Sequence, residues 1–285
     1  MPVRIVTDSA CDLPDTQATA LGIEVVPLTV RFGDKEYVDR TELTVAEFYR
    51  RMAESSALPE TSAPSPGAFD AAFRRCADAG ADAVVCINLS SRLSATMQSA
   101  ETAAKAFGAE GGNVDVHCVD SESVTLGLGT LVQWAAEQAL DGADADTIVK
   151  GVRDQVRRQR VWATLDTLDN LKKGGRIGGA RALLGTLLSV KPAIAIAGGV
   201  VEEAGKPRTR KKALQWLADK VLAEPAVERL NVVHGEAPDV DQFIALLAPR
   251  YGPSDFTVGV IGPVIGAHGG PRVLGVTYQV PMSLR

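Results

Sequence analysis

A chain of 285 residues, 46% hydrophobic and 23% charged, is long enough for two domains of ordinary size and has the composition of a globular protein. Its formal net charge of −5 gives no global attraction for phosphate backbones or anionic lipid, so no nucleic-acid partner is expected. Cys11, Cys76, Cys86 and Cys118 are scattered without CxxC spacing and read as reduced thiols. The start has no signal-peptide architecture, and the most apolar later stretch, 182–201, is broken by Lys191 and Pro192. No integral membrane segment and a cytoplasmic location are therefore expected.

In chain order, the strand candidates of the first half are Arg4–Thr7, Ile23–Phe32, Ala83–Leu89 and Val114–Val119, alternating with helical patterns. Pro14–Leu21 ends at Gly22 and Pro66–Ala79 ends at Gly80, each with Pro near its start and Gly past its end, which marks helices. Two consecutive helical patterns, Val124–Leu140 and Ala145–Arg158, then break the alternation and predict a domain boundary near residue 160. Beyond it come strands at Ile194–Ala197 and Val200–Glu202 around a Gly198-Gly199 turn, a helix over Lys211–Leu222, and strands at Leu230–His234, Phe256–Ile261 and Val273–Gln279. The fold expected is α/β in two domains. Residues 1–160 carry a mainly parallel sheet flanked by helices, and residues 161–285 a mixed sheet packed on helices.

Ligands of open α/β sheets bind beyond strand ends, which directs attention to the polar residues there. After the first strand, Asp12 or Ser9 is placed to cap the helix that Pro14 begins. In Thr61-Ser62-Ala63-Pro64-Ser65-Pro66, Ser65 as N-cap and Pro66 at N1 explain a helix start but leave Thr61 and Ser62 unexplained. The stretch Ser90 to Ser99 is rich in hydroxyls and opens a helix, offering free N–H groups and side-chain donors to an anion such as a carboxylate. Simple capping explains it equally well.

Leu168 to Gly178 reads as a helix stopped at Gly174-Gly175 and a turn that displays Arg176, whose planar fork suits an anion. His268 lies in a segment so rich in Gly and Pro that a packing histidine on a helix face is not expected. A donor to a carboxylate is. His117 and His234, inside apolar strands, read as structural. No GxSxG, Walker A, complete dinucleotide fingerprint, HExxH or paired Cys/His spacing occurs, so neither metal nor cofactor is expected.

In order and content, TDSACDLP, TSAPSP, SSRLSATMQSA, VDSESVTLGLG, LDNLKKGGRIGGARALLGTLLSVKP and GPVIGAHGGP resemble the landmarks of the DegV family across nearly the whole chain. The resemblance implies a non-catalytic fatty-acid-binding protein that presents the carboxylate of its ligand to a partner fatty acid kinase for acyl-phosphate formation, a step toward phospholipid synthesis. It implies an acyl chain buried in the domain of the first strands, with Thr61, Ser94 and His268 around the carboxylate and Ser62 and Arg176 close by. It further implies that Arg208 or Arg210 engages the kinase or the phosphorylated product.

Two positions depart from the family's pattern. Ala95 stands where Gly is usual, which would narrow the approach to the carboxylate, and Arg272 is an extra charge after His268-Gly269-Gly270-Pro271. The alternative reading is an acyl hydrolase or acyltransferase with Ser94 as nucleophile, His268 as base and Asp8 or Asp120 as orienter.

Overall fold

The structure is a computed structural model that describes residues 2–55, 57–109 and 114–282, with only the backbone of 184–189. Strand β1 (Val3–Asp8) leads through a 3-10 turn (Ser9–Cys11) to α1 (Asp15–Ala20) and β2 (Glu24–Val26). The antiparallel strands β3 (Thr29–Phe32), β4 (Lys35–Val38) and β5 (Glu60–Ser62) follow, with α2 (Val45–Glu54) between the last two. Next come α3 (Pro66–Asp78), β6 (Ala83–Asn88), α4 (Thr96–Ala109), β7 (Asp115–Asp120), α5 (Thr125–Leu140) and α6 (Ala145–Arg158). The remainder is β8 (Gln159–Thr164), α7 (Asp169–Lys173), a 3-10 segment (Gly178–Ser189), β9 (Ala193–Ala197), β10 (Val200–Gly205), α8 (Arg210–Leu222), β11 (Glu228–His234), α9 (Val240–Leu247), β12 (Phe256–Val260), α10 (Pro263–Gly269) and β13 (Leu274–Gln279).

One sheet is parallel, in the order β2-β1-β6-β7. Its central strands are apolar on both faces because helices cover both. Phe69, Phe73 and Phe107 from α3 and α4 pack on one side, while Leu128, Leu131 and Ile148 from α5 and α6 pack on the other. The larger sheet is mixed, β10-β9-β8-β13-β11-β12, antiparallel except for the β11–β12 pair. Alternation assigns its two faces. Leu274, Val276 and Tyr278 of β13 join Leu217 and Phe243 of α8 and α9 in one core, whereas Val161, Ala163, Val233 and Gly275 turn the other way and line a cavity.

The run Ile23–Phe32, expected to be one strand, is two strands in different sheets. Pro27 separates them because it has no N–H to donate to a ladder. β3 thereby starts an unexpected small sheet, β4-β3-β5, in which Thr61 pairs with Val30. Strand β8 and helices α2 and α9 were also not anticipated. α2 is held by Tyr49, whose hydroxyl donates to the Ile261 carbonyl at 2.9 Å and pins the entry to α10.

Asp12 and Ser9 do not cap α1, whose N-cap is Pro14 without a side-chain bond. The 3-10 turn between β1 and α1 directs both elsewhere: Ser9 Oγ accepts from the Leu28 N–H at 3.1 Å. Ser65 does cap α3, accepting from the Ala68 N–H at 3.3 Å, with Pro66 opening the helix.

Candidate functional site

The apolar cavity lies between the mixed sheet and the segments that follow β2, β5, β6 and β7. Leu28, Leu89 and Leu93 wall it from the first half of the chain, and Val161, Ile194, Val201, Val233, Ile261 and Val273 from the second. The cavity is thus shared between the two halves of the chain, rather than lined by residues 1–160 alone.

The polar residues that line it are few: Thr61, Ser94, Thr125, Arg176 and His268. Thr61 arrives on β5 and His268 on α10, and Thr61 Oγ1 lies 2.8 Å from His268 Nε2. α10 was not anticipated as a helix. Gly262 as N-cap, Pro263 at the first turn and Gly270 just beyond the end (φ 78°) are start and stop signals, so the Gly and Pro content marks a short helix rather than a loop. His268 sits in its last turn and is partly buried.

Two residues not foreseen from the sequence set the position of His268. Asn170 of α7 donates to the Ala267 carbonyl at 3.0 Å, and Gly174 packs so close that a Cβ there would lie 2.4 Å from His268 Nδ1. The paired glycines announced the end of α7. Nothing in the sequence announced that a ring would lie against the first of them.

Burial, with the Arg176 charge as a lesser cause, pushes the imidazole pKa down to about 4, so His268 is neutral at pH 7. Its buried Nδ1 has no hydrogen-bond partner. Arg176 follows the helix stop as expected. Gly175 is left-handed (φ 73°), and the Arg176 N–H closes on the Leu171 carbonyl at 2.9 Å. Its guanidinium donates to the carbonyls of Leu93 (3.0 Å) and Gly174 (2.6 Å), tying the hydroxyl-rich loop to the glycine turn.

In that loop the hydroxyls divide by role. Ser90 donates to the Gly199 carbonyl at 2.6 Å and Ser91 binds Asp120, so both hold the fold together. Ser94 faces the cavity, its Oγ 2.9 Å from Thr96 Oγ1 and accepting from the Thr96 N–H at 3.3 Å. Ala95 also lines the cavity, is exposed, and has no left-handed backbone, so its Cβ imposes no backbone strain. Ser62, next to Thr61 in an extended strand, is exposed and does not line the cavity, because successive side chains leave opposite faces. Ser62, expected close to the carboxylate site, therefore does not share the cavity with Thr61.

These bonds differ from those a nucleophile–base–acid relay requires. His268 Nε2 meets Thr61 rather than Ser94. Asp8 accepts from the N–H groups of Ala10 and Leu89 and from Asn88, and Asp120 holds the Ser91 loop, so neither candidate orienter reaches His268 Nδ1.

Arg208 is exposed, whereas Arg210 is committed to Asp239 through bonds of 2.8 and 2.9 Å. Asp166, next in sequence to the cavity residue Leu165, lies within 4.0 Å of Lys191, Arg210 and Arg272, so three cations gather on one carboxylate. His117 and His234 lie in β7 and β11, and the four cysteines are free. Among the described residues no helix is long and apolar enough to cross a membrane, and no group of three or more His, Cys, Asp or Glu could hold a metal ion.

A parallel sheet and a mixed sheet with an apolar cavity and one polar cluster between the halves define an α/β protein built around an internal cavity. The model described as "Uncharacterised protein, DegV family" matches residues 2–280, and the chain belongs to that family. A DegV domain-containing protein of Listeria monocytogenes is 35% identical over 98% of both chains. Among solved structures, the chain is similar to a DegV family protein from Thermus thermophilus described by its fatty acid binding, at 35% identity and a TM-score of 0.89, covering 99% of this chain and 100% of that one. It is similar also to DegV of Bacillus subtilis, described as a fatty acid binding protein, at 31% identity and a TM-score of 0.86, again covering 99% and 100%.

Proposed function

We propose that this protein binds a fatty acid, with the acyl chain in the cavity between its two halves and the carboxylate among Thr61, Ser94, Arg176 and His268. The observation that carries the reading is the polarity of the cavity: an aliphatic space whose polar groups are hydroxyls, an imidazole and a guanidinium. A carboxylate buried without partners costs on the order of several kcal/mol, and charge-assisted bonds from such donors offset that cost. Each buried methylene adds about 0.8 kcal/mol, so the aliphatic walls supply most of the affinity. The solved relatives described as fatty acid binding support the same reading.

In this proposal residues 1–160 and 161–285 are the two domains, and the protein is a cytoplasmic carrier rather than a catalyst. It presents the carboxylate to a separate ATP-dependent fatty acid kinase. Exposed Arg208 contacts that partner, and the cations gathered on Asp166, Arg210 among them, favour the added negative charge of an acyl phosphate. Organic extraction of the purified protein followed by mass spectrometry tests the first step. A stoichiometric acyl chain is expected, and its absence under several expression conditions would end the lipid reading.

A further inference from the structure

A second cavity, of about 490 Å³, lies on the other side of the entry to α10. Its size falls in the range of small-molecule sites. Leu13, Leu43, Leu126, Val258 and Val260 supply apolar walls, and its polar lining includes the carboxylates Asp12, Asp15 and Asp39. This cavity carries carboxylates, which the first lacks, beside the Arg40 guanidinium and the hydroxyls of Ser9, Thr44, Thr130 and Thr257.

Asp39 is only 1% exposed, lines this space, and has an Oδ1 with no hydrogen-bond partner. Asp12 is held left-handed (φ 51°) beside Gly262, where a Cβ would lie 2.5 Å from Asp12 Oδ1, and its Oδ2 also lacks a partner. The guanidinium of Arg40, which also lines this space, bonds Asp15 at 2.9 Å and the Ser9 carbonyl at 3.3 Å, and its charge offsets only part of the burial of Asp12 and Asp39. Among the described residues neither Asp12 nor Asp39 has an ion pair. Burial raises the pKa of both, that of Asp12 to about 7, so both are poised to gain from an incoming cation.

We propose that this second cavity is a binding site for a small organic cation, a primary ammonium whose donors reach the free oxygens of Asp12 and Asp39 and whose apolar part lies against Leu126, Val258 and Val260. An ammonium brings three donors and a positive charge to a place that holds unused acceptors. The site is independent of the lipid reading, since no residue of the carboxylate cluster lines it.

The test is a titration of the full-length protein with butylammonium, followed by the amide resonances of Gly259 and Gly262, with butan-1-ol and butyrate as controls. Saturable shifts with butylammonium alone are expected, together with proton release as the carboxylates ionise. Asp39→Asn should weaken binding at least tenfold without changing the amount of bound acyl chain. Thr257→Lys tests the site if loss of Asp39 unfolds the protein. Thr257 is exposed on β12 and lines the cavity, so its lysine should occupy the site and block the probe. Equal shifts with butan-1-ol, no saturable shift with butylammonium, or unchanged affinity in a folded Asp39→Asn or Thr257→Lys protein would each overturn the proposal.

Discussion

The two cavities on either side of α10 show how one physical effect prepares sites of opposite character. Burial favours the neutral form of every titratable group, so it drives His268 down to about 4 in the first cavity and Asp12 up to about 7 in the second. What differs is the chemistry left over: the first offers an imidazole and hydroxyls without any carboxylate, and the second has carboxylates with oxygens left unpartnered. The sign of the ligand each would hold follows from that difference rather than from net charge.

The largest effect is expected from removing the donors of the first cavity. Thr61→Ala combined with His268→Ala takes away two hydrogen bonds to a charged group, worth together about 3 kcal/mol or more, or on the order of a hundredfold in affinity. Quantifying co-purified acyl chain against the wild type checks this. Retention of a full complement would show that the carboxylate lies elsewhere.

Next in size is the packing of His268. Gly174→Ala places a methyl against the ring and the Asn170 carbonyl, overpacking that costs about 1–3 kcal/mol and displaces the imidazole. Gly175→Ala meets nothing within 4 Å but must hold φ 73°, so it should cost only about 1 kcal/mol and leave lipid binding intact. Urea midpoints and acyl content of the two variants separate contact from backbone strain.

The pH dependence of stability sharpens the comparison further. With Asp12 raised from 3.8 to about 7, the fold binds more protons than the unfolded chain between those values. Its contribution is present below pH 3.8 and is lost as pH rises through about 7, and Asp8, raised to about 6, acts in the same direction. His268, lowered from 6.5 to about 4, works the other way: its contribution is present above pH 6.5 and is lost as pH falls through about 4. Urea midpoints measured from pH 4 to 8 should therefore fall less steeply toward high pH in Asp12→Asn, and less steeply toward low pH in His268→Gln. Profiles parallel to the wild type would refute the assigned shifts.

The smallest structural effect belongs to Arg208→Ala, an exposed substitution expected to stay within about 0.5 kcal/mol of the wild type and to keep its lipid. Its effect should appear only as a lower yield of acyl phosphate with a fatty acid kinase, and an unchanged yield would remove the docking role. Arg210→Ala is a poorer probe because it also breaks the pair with Asp239.

Much of the architecture was legible because it is local. Periodicity and capping placed α3, α5, α6 and α8 within a residue or two, and the Gly198-Gly199 turn and the stop before Arg176 follow from left-handed glycines. The misreadings came where local signals had two solutions. Pro27 turned one apolar run into strands of two sheets, and Gly and Pro around His268 enclosed a helix. Among the candidate residues, Thr61, Ser94, Arg176 and His268 meet at one cavity, whereas Ser62 leaves it through the alternation of an extended strand.

Residue type and spacing were sufficient to nominate the hydroxyls, the arginine and the histidine, because each ends or begins an element whose limits are set by its own neighbours in the chain. That Thr61 touches His268 across 207 positions, that Gly174 backs the ring, and that unpaired carboxylates gather behind α10 were decided only when the two sheets packed together. Such contacts depend on the relative placement of distant elements, and backbone propensity carries no record of it.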